Sequence, residues 1–363
     1  MAVGADLDRI VTLADFEPSA RLSMEPAAFD YVAGGAWDET TLAENEAAWR
    51  RFRLCPRVLV DVSQVQAGST LLGTPVSMPV AIAPMAVHGI AHPDGEVATA
   101  AGAAAAGVPF TLSTMSSRSI EDVARAAPDG VRWFQLYTQA EPARTRELVE
   151  RAVAARYRAI VLTVDLPVLG FRERDRRSGF QLPALGNFAD GHPTHVGRAS
   201  GADEGDARPG PGLTWDDLAE IRRWSSLPLV LKGILTAADA RLAVDHGADG
   251  IVVSNHGARQ LDRVPAPIDV LAEIAAAVDG RAEIWVDGGV RRGLDIAIAL
   301  ALGARGVLVG KPIFWALATA GAEGVERALA ILREEFEIAL ALLGAPTPAD
   351  VTRDHLERPE RDP

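Results

Sequence analysis

The sequence predicts an α/β protein whose main body is a (β/α)8 barrel, the TIM-barrel architecture, with a helical cap before it and one long loop after its fourth strand. Three observations predict this fold. From about Ser77 onward, apolar runs of strand length alternate with Ala/Leu-rich helical stretches. Eight such units fit into about 250 residues, the usual size of this barrel. The runs are almost continuously apolar, which is typical of parallel strands buried on both faces.

Each predicted strand is a short apolar run that ends in a polar residue, a proline or a glycine. The eight strands are Pro79–Pro84, Pro109–Ser113, Val131–Tyr137, Ala159–Asp165, Pro228–Gly233, Gly250–Asn255, Glu283–Gly288 and Gly306–Gly310. An open doubly wound sheet would normally carry a Gly-x-Gly-x-x-Gly turn after its first strand. Here the first strand ends in Ala83-Pro84-Met85-Ala86, so the closed barrel is favoured.

The predicted helices fit between these strands and at the two ends of the chain. Two amphipathic helices, Met24–Val32 and Thr41–Arg51, precede the barrel, and a final helix, Val325–Leu343, follows it. The helices of the barrel itself are Glu96–Ala106, Ile120–Ala127, Ala143–Arg156, Trp215–Trp224, Ala237–His246, Ile268–Val278 and Leu294–Leu302.

The pattern divides the chain into three parts. Residues 1–60 form a helical cap over one barrel end, residues 61–345 form the barrel, and residues 346–363 form a C-terminal tail. The stretch 171–212 is polar and rich in Gly, Pro, Asp and Arg. A loop of this length inside a compact domain is usually a lid or a binding loop. It follows the fourth strand, on the face where barrel active sites lie.

The composition of the 363 residues is that of a globular protein, with 48% hydrophobic and 23% charged residues. The net charge of −13 disfavours a nucleic-acid-binding or anionic-membrane surface. The single cysteine, Cys55, excludes an intrachain disulfide and a cysteine-cluster metal site. No apolar stretch approaches the ~20 residues of a membrane span, and the first residues lack a secretory signal. We therefore expect a cytoplasmic protein with no metal and with no nucleic-acid or membrane partner.

Polar side chains gather where the predicted strands end. From the third strand to the eighth they are Gln135, Tyr137, Thr163, Asp165, Lys232, Ser254, His256, Arg259, Asp287 and Lys311. One polar residue after a strand indicates only a turn. Because the carboxyl ends of parallel strands open on the same face of a barrel, six consecutive endings of this kind predict one shared functional site.

Glycine turns after the seventh and eighth strands predict a phosphate site, one in residues 287–293 and the other in residues 306–311. Glycines let backbone N–H groups approach a phosphate, helix N-termini favour the anion, and cationic side chains add charge. This position is the usual phosphate site of (β/α)8 enzymes. We call the following set the phosphate cradle: Gly288, Gly289, Arg291, Gly310 and Lys311.

Residues 254–262, with the sequence Ser-Asn-His-Gly-Ala-Arg-Gln-Leu-Asp, resemble the signature of the FMN-dependent L-2-hydroxy acid oxidase and dehydrogenase family. That family includes glycolate oxidase, lactate oxidase, mandelate dehydrogenase and 4-hydroxymandelate oxidase. Six collinear motifs extend the resemblance: Phe29–Tyr31, Thr41–Asn45, Gln135–Tyr137, Leu162–Asp165, Leu231–Gly233 and Asp287–Gly293. A type 2 isoprenoid isomerase, another FMN barrel, is less consistent with the pair of His256 and Arg259.

The resemblance implies bound FMN and the oxidation of a 2-hydroxy acid to a 2-oxo acid. In this family pattern His256 is the base, and an imidazole suits that role because it titrates near neutral pH. Asp165 matches the carboxylate that favours the imidazolium. Tyr137 matches the residue that hydrogen-bonds the substrate hydroxyl or the forming oxo oxygen.

The resemblance also assigns a binding site for the substrate carboxylate. Arg172 and Arg259 are placed as its cationic partners, and a guanidinium can bind a carboxylate through two hydrogen bonds where a lysine cannot. Tyr31 matches a tyrosine that donates to the same carboxylate.

Further residues match contacts to the cofactor. Lys232 matches a lysine beside the flavin N1–C2=O edge, where a cation stabilises the reduced flavin. The other cofactor-binding residues implied are Pro84, Met85, Ala86, Ser113, Gln135, Thr163, Ser254, Asp287 and the phosphate cradle. Where many relatives have Gly-Arg, this chain has Gly310-Lys311, which keeps the charge but loses the two-pronged geometry.

Two methionines predict the substrate class. Met85 and Met115 stand where glycolate oxidase has a threonine and a tryptophan, and methionine suits a larger apolar substituent. We therefore expect an aryl substrate such as mandelate or 4-hydroxymandelate, with O2 as acceptor giving H2O2, and a homotetramer by resemblance. The alternatives are a lactate or glycolate oxidase, an FMN dehydrogenase with a quinone or protein acceptor, and a non-catalytic flavin or carboxylate binder.

Overall fold

The computed structural model describes residues 7–188 and 212–357. Eight parallel strands form a closed barrel in which neighbours in the chain pair and the last strand pairs with the first. The barrel strands, numbered along the chain, are β3 (Val80–Ile82), β4 (Phe110–Ser113), β5 (Arg132–Leu136), β6 (Ile160–Thr163), β7 (Leu229–Ile234), β8 (Gly250–Val253), β9 (Glu283–Val286) and β10 (Gly306–Val309). Before them in the chain, β1 (Ser69–Leu71) and β2 (Thr74–Val76) form a separate two-stranded sheet. The predicted barrel is confirmed, and each of the eight predicted strands overlaps one of β3–β10.

The antiparallel hairpin of β1 and β2 does not follow from the sequence pattern, because strands of three residues are too short to show a periodicity. The hairpin lies at the N-terminal end of the barrel. Leu71 packs with Trp133 and Trp285 in the barrel interior, and the backbone N–H of Leu72 donates to the Glu283 carboxylate at 3.1 Å. This end of the barrel is therefore filled with apolar side chains, and the other end carries the polar ones.

Helices cover the outside of the barrel and precede it. They are α1 (Phe16–Ser23), α2 (Pro26–Ala33), α3 (Thr40–Ala47), α4 (Glu96–Ala106), α5 (Ile120–Ala126), α6 (Pro142–Ala154), α7 (Glu173–Ser178), α8 (Asp217–Arg223), α9 (Ala237–Asp245), α10 (Pro267–Val278), α11 (Gly293–Ala301) and α12 (Lys311–Leu343). No helix in residues 7–188 and 212–357 is both long and apolar enough to cross a membrane.

Three helices differ from the sequence-based expectation. Helix α1 lies inside the predicted helical cap but precedes the two helices expected there. Helix α12 has a non-helical break at Ala320 and Gly321. The part after the break contains the expected helix Val325–Leu343, and the part before it, residues 311–319, was not expected; Pro312 is accepted there because it lies in the first turn. Helix α7 lies inside the predicted loop 171–212, of which residues 189–211 lie outside the described residues.

The cap helices α2 and α3 pack against the C-terminal face of the barrel. Phe29 of α2 stacks on Trp315 of α12, with ring centroids 4.6 Å apart. Beyond the end of α3, Trp49 Nε1 donates to the carbonyl of Gly288 at 2.9 Å. The cap therefore forms one wall over the polar end of the barrel and contributes Tyr31 to it.

Candidate active site

A cavity of about 1000 Å3 opens at the C-terminal ends of the barrel strands. Most of the residues singled out from the sequence line it: Tyr31, Pro84, Met85, Ala86, Ser113, Met115, Tyr137, Arg172, Lys232, His256, Arg259, Asp287, Gly288, Gly289, Arg291, Gly310 and Lys311. The other four, Asp165, Gln135, Thr163 and Ser254, lie behind this lining and are hydrogen-bonded to it or to one another.

His256 is held between a carboxylate and a phenol. Its Nδ1 lies 2.7 Å from Asp165 Oδ1, and its Nε2 lies 3.4 Å from the Tyr137 hydroxyl. Because a carboxylate can only accept, Nδ1 carries the proton and donates it to Asp165. Nε2 is then the basic atom, and it is the ring nitrogen nearer to Tyr137, which lines the cavity.

The burial of these groups sets their protonation. Burial lowers the pKa of His256 below its usual value, although the Asp165 carboxylate opposes part of that shift. Burial alone would raise the pKa of Asp165, but His256 and Lys232 lower it below its usual range. Burial and the Asp165 charge raise the pKa of Tyr137 well above its usual value. At neutral pH the site therefore holds a neutral imidazole, a carboxylate and a protonated phenol.

Lys232 is a buried cation on the floor of the cavity. Its Nζ lies 3.1 Å from Asp287 Oδ2 and donates to Ser254 Oγ at 2.9 Å. Burial alone would lower the pKa of Lys232, but Asp287 and Asp165 raise it above its usual value. The lysine is therefore charged at neutral pH. Ser254 Oγ also accepts the backbone N–H of His256 at 3.0 Å, so one hydroxyl binds both the lysine side chain and the histidine backbone.

Two arginines approach each other on the cavity wall. Arg172 Nε donates to the carbonyl of Arg259 at 3.2 Å. Arg259 Nη1 donates to the carbonyls of Tyr31 and Gly34 at 2.6 and 2.9 Å, and its guanidinium lies 4.8 Å from the Tyr31 ring centroid. Burial and the neighbouring Arg259 lower the pKa of Arg172 to about 10, so Arg172 stays cationic at neutral pH. Two neighbouring guanidinium groups suit an anionic ligand, and Asp175 of the same wall offsets only part of their charge.

A row of polar side chains runs across β4, β5 and β6. Ser113 Oγ donates to Gln135 Oε1 at 3.1 Å, and Gln135 Nε2 donates to Thr163 Oγ1 at 3.1 Å. Ser113 reaches the cavity, whereas Gln135 and Thr163 are buried behind it. Ser113 therefore faces the cavity, and the hydrogen bonds of Gln135 and Thr163 behind it fix its orientation.

The glycine turns of the phosphate cradle lie at the ends of β9 and β10 and line the cavity. Gly288 and Gly289 have φ of +86° and +85°, and a Cβ on Gly289 would lie 1.8 Å from the carbonyl oxygen of Asn45. Only glycine fits this turn, because left-handed backbone and so close an approach both exclude a side chain. Arg291 pairs with Glu46 at 2.5 Å, and Lys311 Nζ donates to the carbonyl of Ala33 at 2.8 Å.

The structure also brings in residues that sequence reasoning missed. Phe180 lines the cavity and stacks on Tyr31, with ring centroids 4.4 Å apart. Leu182 and Leu185 line it beside Met115. All three lie in the predicted loop 171–212, whose length signalled a binding loop although its irregular sequence did not show which side chains would face inward.

The comparisons with known proteins agree with this geometry. A family model described as FMN-dependent dehydrogenase matches residues 20–358. The chain belongs to this family. Among curated relatives, L-lactate oxidase from Nostoc sp. is 47% identical over 357 residues, covering 95% of this chain and 98% of the relative. 2-Hydroxyacid oxidase 1 from Mus musculus is 46% identical over 347 residues, covering 93% and 94%. A solved mandelate oxidase is 43% identical with a TM-score of 0.88, covering 96% and 98%.

FMN is the cofactor of the family, and the residues of the cavity fit it. The cradle offers glycine turns and Lys311. Burial and the neighbouring Arg259 and Arg291 hold the pKa of Lys311 well below its usual value, and a phosphate would supply the opposing charge. Asp287 Oδ1 is buried without a hydrogen-bond partner among the described residues, and it can accept a bond from a ribityl hydroxyl. Bound FMN supplies the two-electron redox chemistry, and the protein supplies binding, orientation and charge.

Proposed function

We propose that the protein oxidises an L-2-hydroxy acid to the 2-oxo acid and passes the electrons to O2, giving H2O2. The observation that carries the proposal is the convergence of three features in one cavity. They are a neutral imidazole with a carboxylate behind it, two arginines suited to a carboxylate, and a cradle suited to the phosphate of FMN.

The roles of the residues follow from their chemistry. Arg172 and Arg259 bind the substrate carboxylate, and Tyr31 is placed beside them to donate to it. His256 Nε2 accepts a proton from the substrate, and Asp165 stabilises the imidazolium that forms. The Tyr137 phenol, which keeps its own proton, donates to the substrate oxygen.

We propose further that the substrate carries an aryl group, as mandelate and 4-hydroxymandelate do. Met115 is 5% exposed and packs with Val87 and Leu185 in a small apolar cluster that also includes Tyr31 and Tyr137. Burying an aryl group there would gain roughly 25 cal/mol per Å2 and contacts with polarizable sulfur. Met85 lines the same cavity beside the cradle, since a Cβ on Gly310 would lie 3.5 Å from the Met85 sulfur. The pocket assignment therefore depends mainly on Met115.

Two alternatives differ from this proposal in the substrate or in the electron acceptor. A lactate or glycolate oxidase is favoured by the 47% identity to the Nostoc lactate oxidase. A dehydrogenase with a quinone or protein acceptor would use the same cavity. Cytoplasmic location and a homotetrameric state also stay predictions.

An aerobic screen of glycolate, L-lactate and both enantiomers of mandelate, with H2O2 and the 2-oxo acid measured together, tests the proposal. We expect the L enantiomer of mandelate to give the highest kcat/KM and to yield one H2O2 per 2-oxo acid. A better rate with lactate or glycolate would overturn the aryl assignment. Turnover that requires an added quinone would overturn the oxidase assignment. A yellow protein that no 2-hydroxy acid bleaches without oxygen would be a non-catalytic binder.

A further inference from the structure

We propose that Asn45, in the cap helix α3, is a positioning residue that connects the phosphate cradle to the turn that carries His256. Its side chain hydrogen-bonds the histidine turn, and its side-chain amide and backbone carbonyl lie against the cradle turn, which belongs to a different loop of the barrel. The proposal rests on the function proposed above, in which His256 is the base.

The first contact joins the cap to the histidine turn. Asn45 Nδ2 donates to Asn255 Oδ1 at 2.9 Å, and Asn255 Nδ2 donates back to Asn45 Oδ1 at 2.7 Å. Both side chains are buried, at 2% and 3% exposure. A buried amide that loses its partner is left with an unsatisfied polar group, so this reciprocal pair fixes both side chains in one orientation.

Asn255 also holds the turn that carries His256, the residue after it. Its Oδ1 also accepts the backbone N–H of Ala258 at 3.0 Å, which closes the turn around His256. His256 and Ala258 have φ of +60° and +63°, a conformation that residues other than glycine rarely adopt. Such a turn persists only where the surrounding structure holds it. The Asn45–Asn255 pair is one of the contacts that do so.

The second contact joins the same residue to the cradle. A Cβ on Gly288 would lie 3.2 Å from Asn45 Nδ2, and a Cβ on Gly289 would lie 1.8 Å from the Asn45 carbonyl oxygen. The cradle turn therefore rests directly on Asn45. Trp49, just beyond α3, adds its hydrogen bond to the Gly288 carbonyl.

These contacts have a joint consequence. The cradle turn packs against Asn45, whose side chain also holds Asn255 and the histidine turn. Loss of that side chain removes the amide beside Gly288 and leaves the backbone contact with Gly289 in place, so it should weaken FMN retention and slow proton abstraction together. It should leave the affinity for the substrate carboxylate unchanged, because the Arg259 guanidinium is held separately by the carbonyls of Tyr31 and Gly34.

The test compares Asn45→Ala and Asn255→Ala with Arg51→Gln as a matched control. Arg51 joins the same part of the cap to the barrel through Asp269, but it contacts neither the cradle nor the histidine turn. FMN release on dilution, the anaerobic rate of flavin reduction, the KM for the substrate and the thermal midpoint are measured on each holoenzyme. In Asn45→Ala we expect reduction about tenfold slower, ~1.4 kcal/mol in the barrier, with faster FMN release and KM within twofold.

In Asn255→Ala we expect the slower reduction without the faster release, and the double variant should reduce no more slowly than the slower single one. Arg51→Gln should stay within twofold in every quantity. If Asn45→Ala does not fold, Asn45→Asp keeps the acceptor for Asn255 but not the donor, and its reduction rate is compared instead. Reduction within twofold of the unchanged protein, or additive effects in the double variant, would overturn the proposal. If His256→Gln is also reduced normally, the proposed function fails instead.

Discussion

The two halves of the cavity differ in how their buried lysines are paired. At the base site, formed by His256, Asp165, Lys232 and Asp287, Lys232 lies 3.1 Å from the Asp287 carboxylate, and the neutral imidazole of His256 donates to Asp165 at 2.7 Å. At the phosphate cradle, Arg291 pairs with Glu46, but the hydrogen bonds of Lys311 in the described part of the chain go to backbone carbonyls.

The difference shows that the protein balances the charge of Lys232 with its own residues, whereas Lys311 at the cradle needs an anionic ligand. Paired charges fix the position and protonation of the base before any ligand arrives. A buried lysine that faces other cations is costly, and an anion offsets that cost. We therefore expect changes at the base site to act on the rate and changes at the cradle to act on FMN retention.

The largest expected effect is that of His256→Gln. The rate of flavin reduction in anaerobic stopped flow should fall about 10³-fold, within the range that general base catalysis contributes. FMN should be retained, because the contacts of His256 lie at the base site. His246→Gln, a change at an exposed histidine, serves as the control. A rate within about tenfold of the unchanged protein, a barrier change of ~1.4 kcal/mol, would remove His256 from its role.

Asp165→Asn should have the next largest effect and should change the pH profile. The base must be unprotonated, so the reduction rate falls as the pH drops through the pKa of His256. Burial lowers that pKa and Asp165 raises it in part, so a neutral asparagine should move the acid limb to lower pH. The plateau should fall about 10- to 100-fold, because the imidazolium loses its counter-charge. A limb that moves to higher pH would contradict this account.

At the cradle, Lys311→Met should weaken FMN binding by about tenfold or more, since a charged hydrogen bond contributes roughly 1.5–3 kcal/mol. Lys311→Arg keeps the charge and should retain FMN. The amount of FMN released on dilution, followed by its fluorescence, measures both. Equal retention in Lys311→Met and the unchanged protein would show that the cradle does not depend on this cation.

The smallest expected effect is on selectivity. Met115→Trp should fill the apolar cluster and lower the ratio of kcat/KM for L-mandelate to that for glycolate by several-fold. Met85→Leu, near Gly310, should change that ratio less. An unchanged ratio in Met115→Trp would place the substituent elsewhere in the cavity.

How far the sequence predicts this protein depends on how local each signal is. The barrel strands are short apolar runs, and their order in the chain is their order in the barrel. Each strand could therefore be predicted from its own residues. The motif around His256 and the glycine turn at Gly288 are also contiguous in sequence. The hairpin of β1 and β2 has no such signal, and the break at Ala320 and Gly321 in α12 depends on packing that no local pattern shows.

The sequence by itself determined the fold class, the family and FMN as its cofactor, because contiguous motifs and hydrophobic periodicity carry that information. The tertiary structure decided which of the polar residues face the cavity and which support it from behind. Gln135 and Ser113 both belong to strand-end motifs, yet only Ser113 reaches the cavity, because the pleat and pairing of neighbouring strands set the direction of each side chain. The tertiary structure also brings Asn45 between the cradle and the histidine turn. Its hydrogen bond to Asn255 joins residues more than 200 positions apart in the chain.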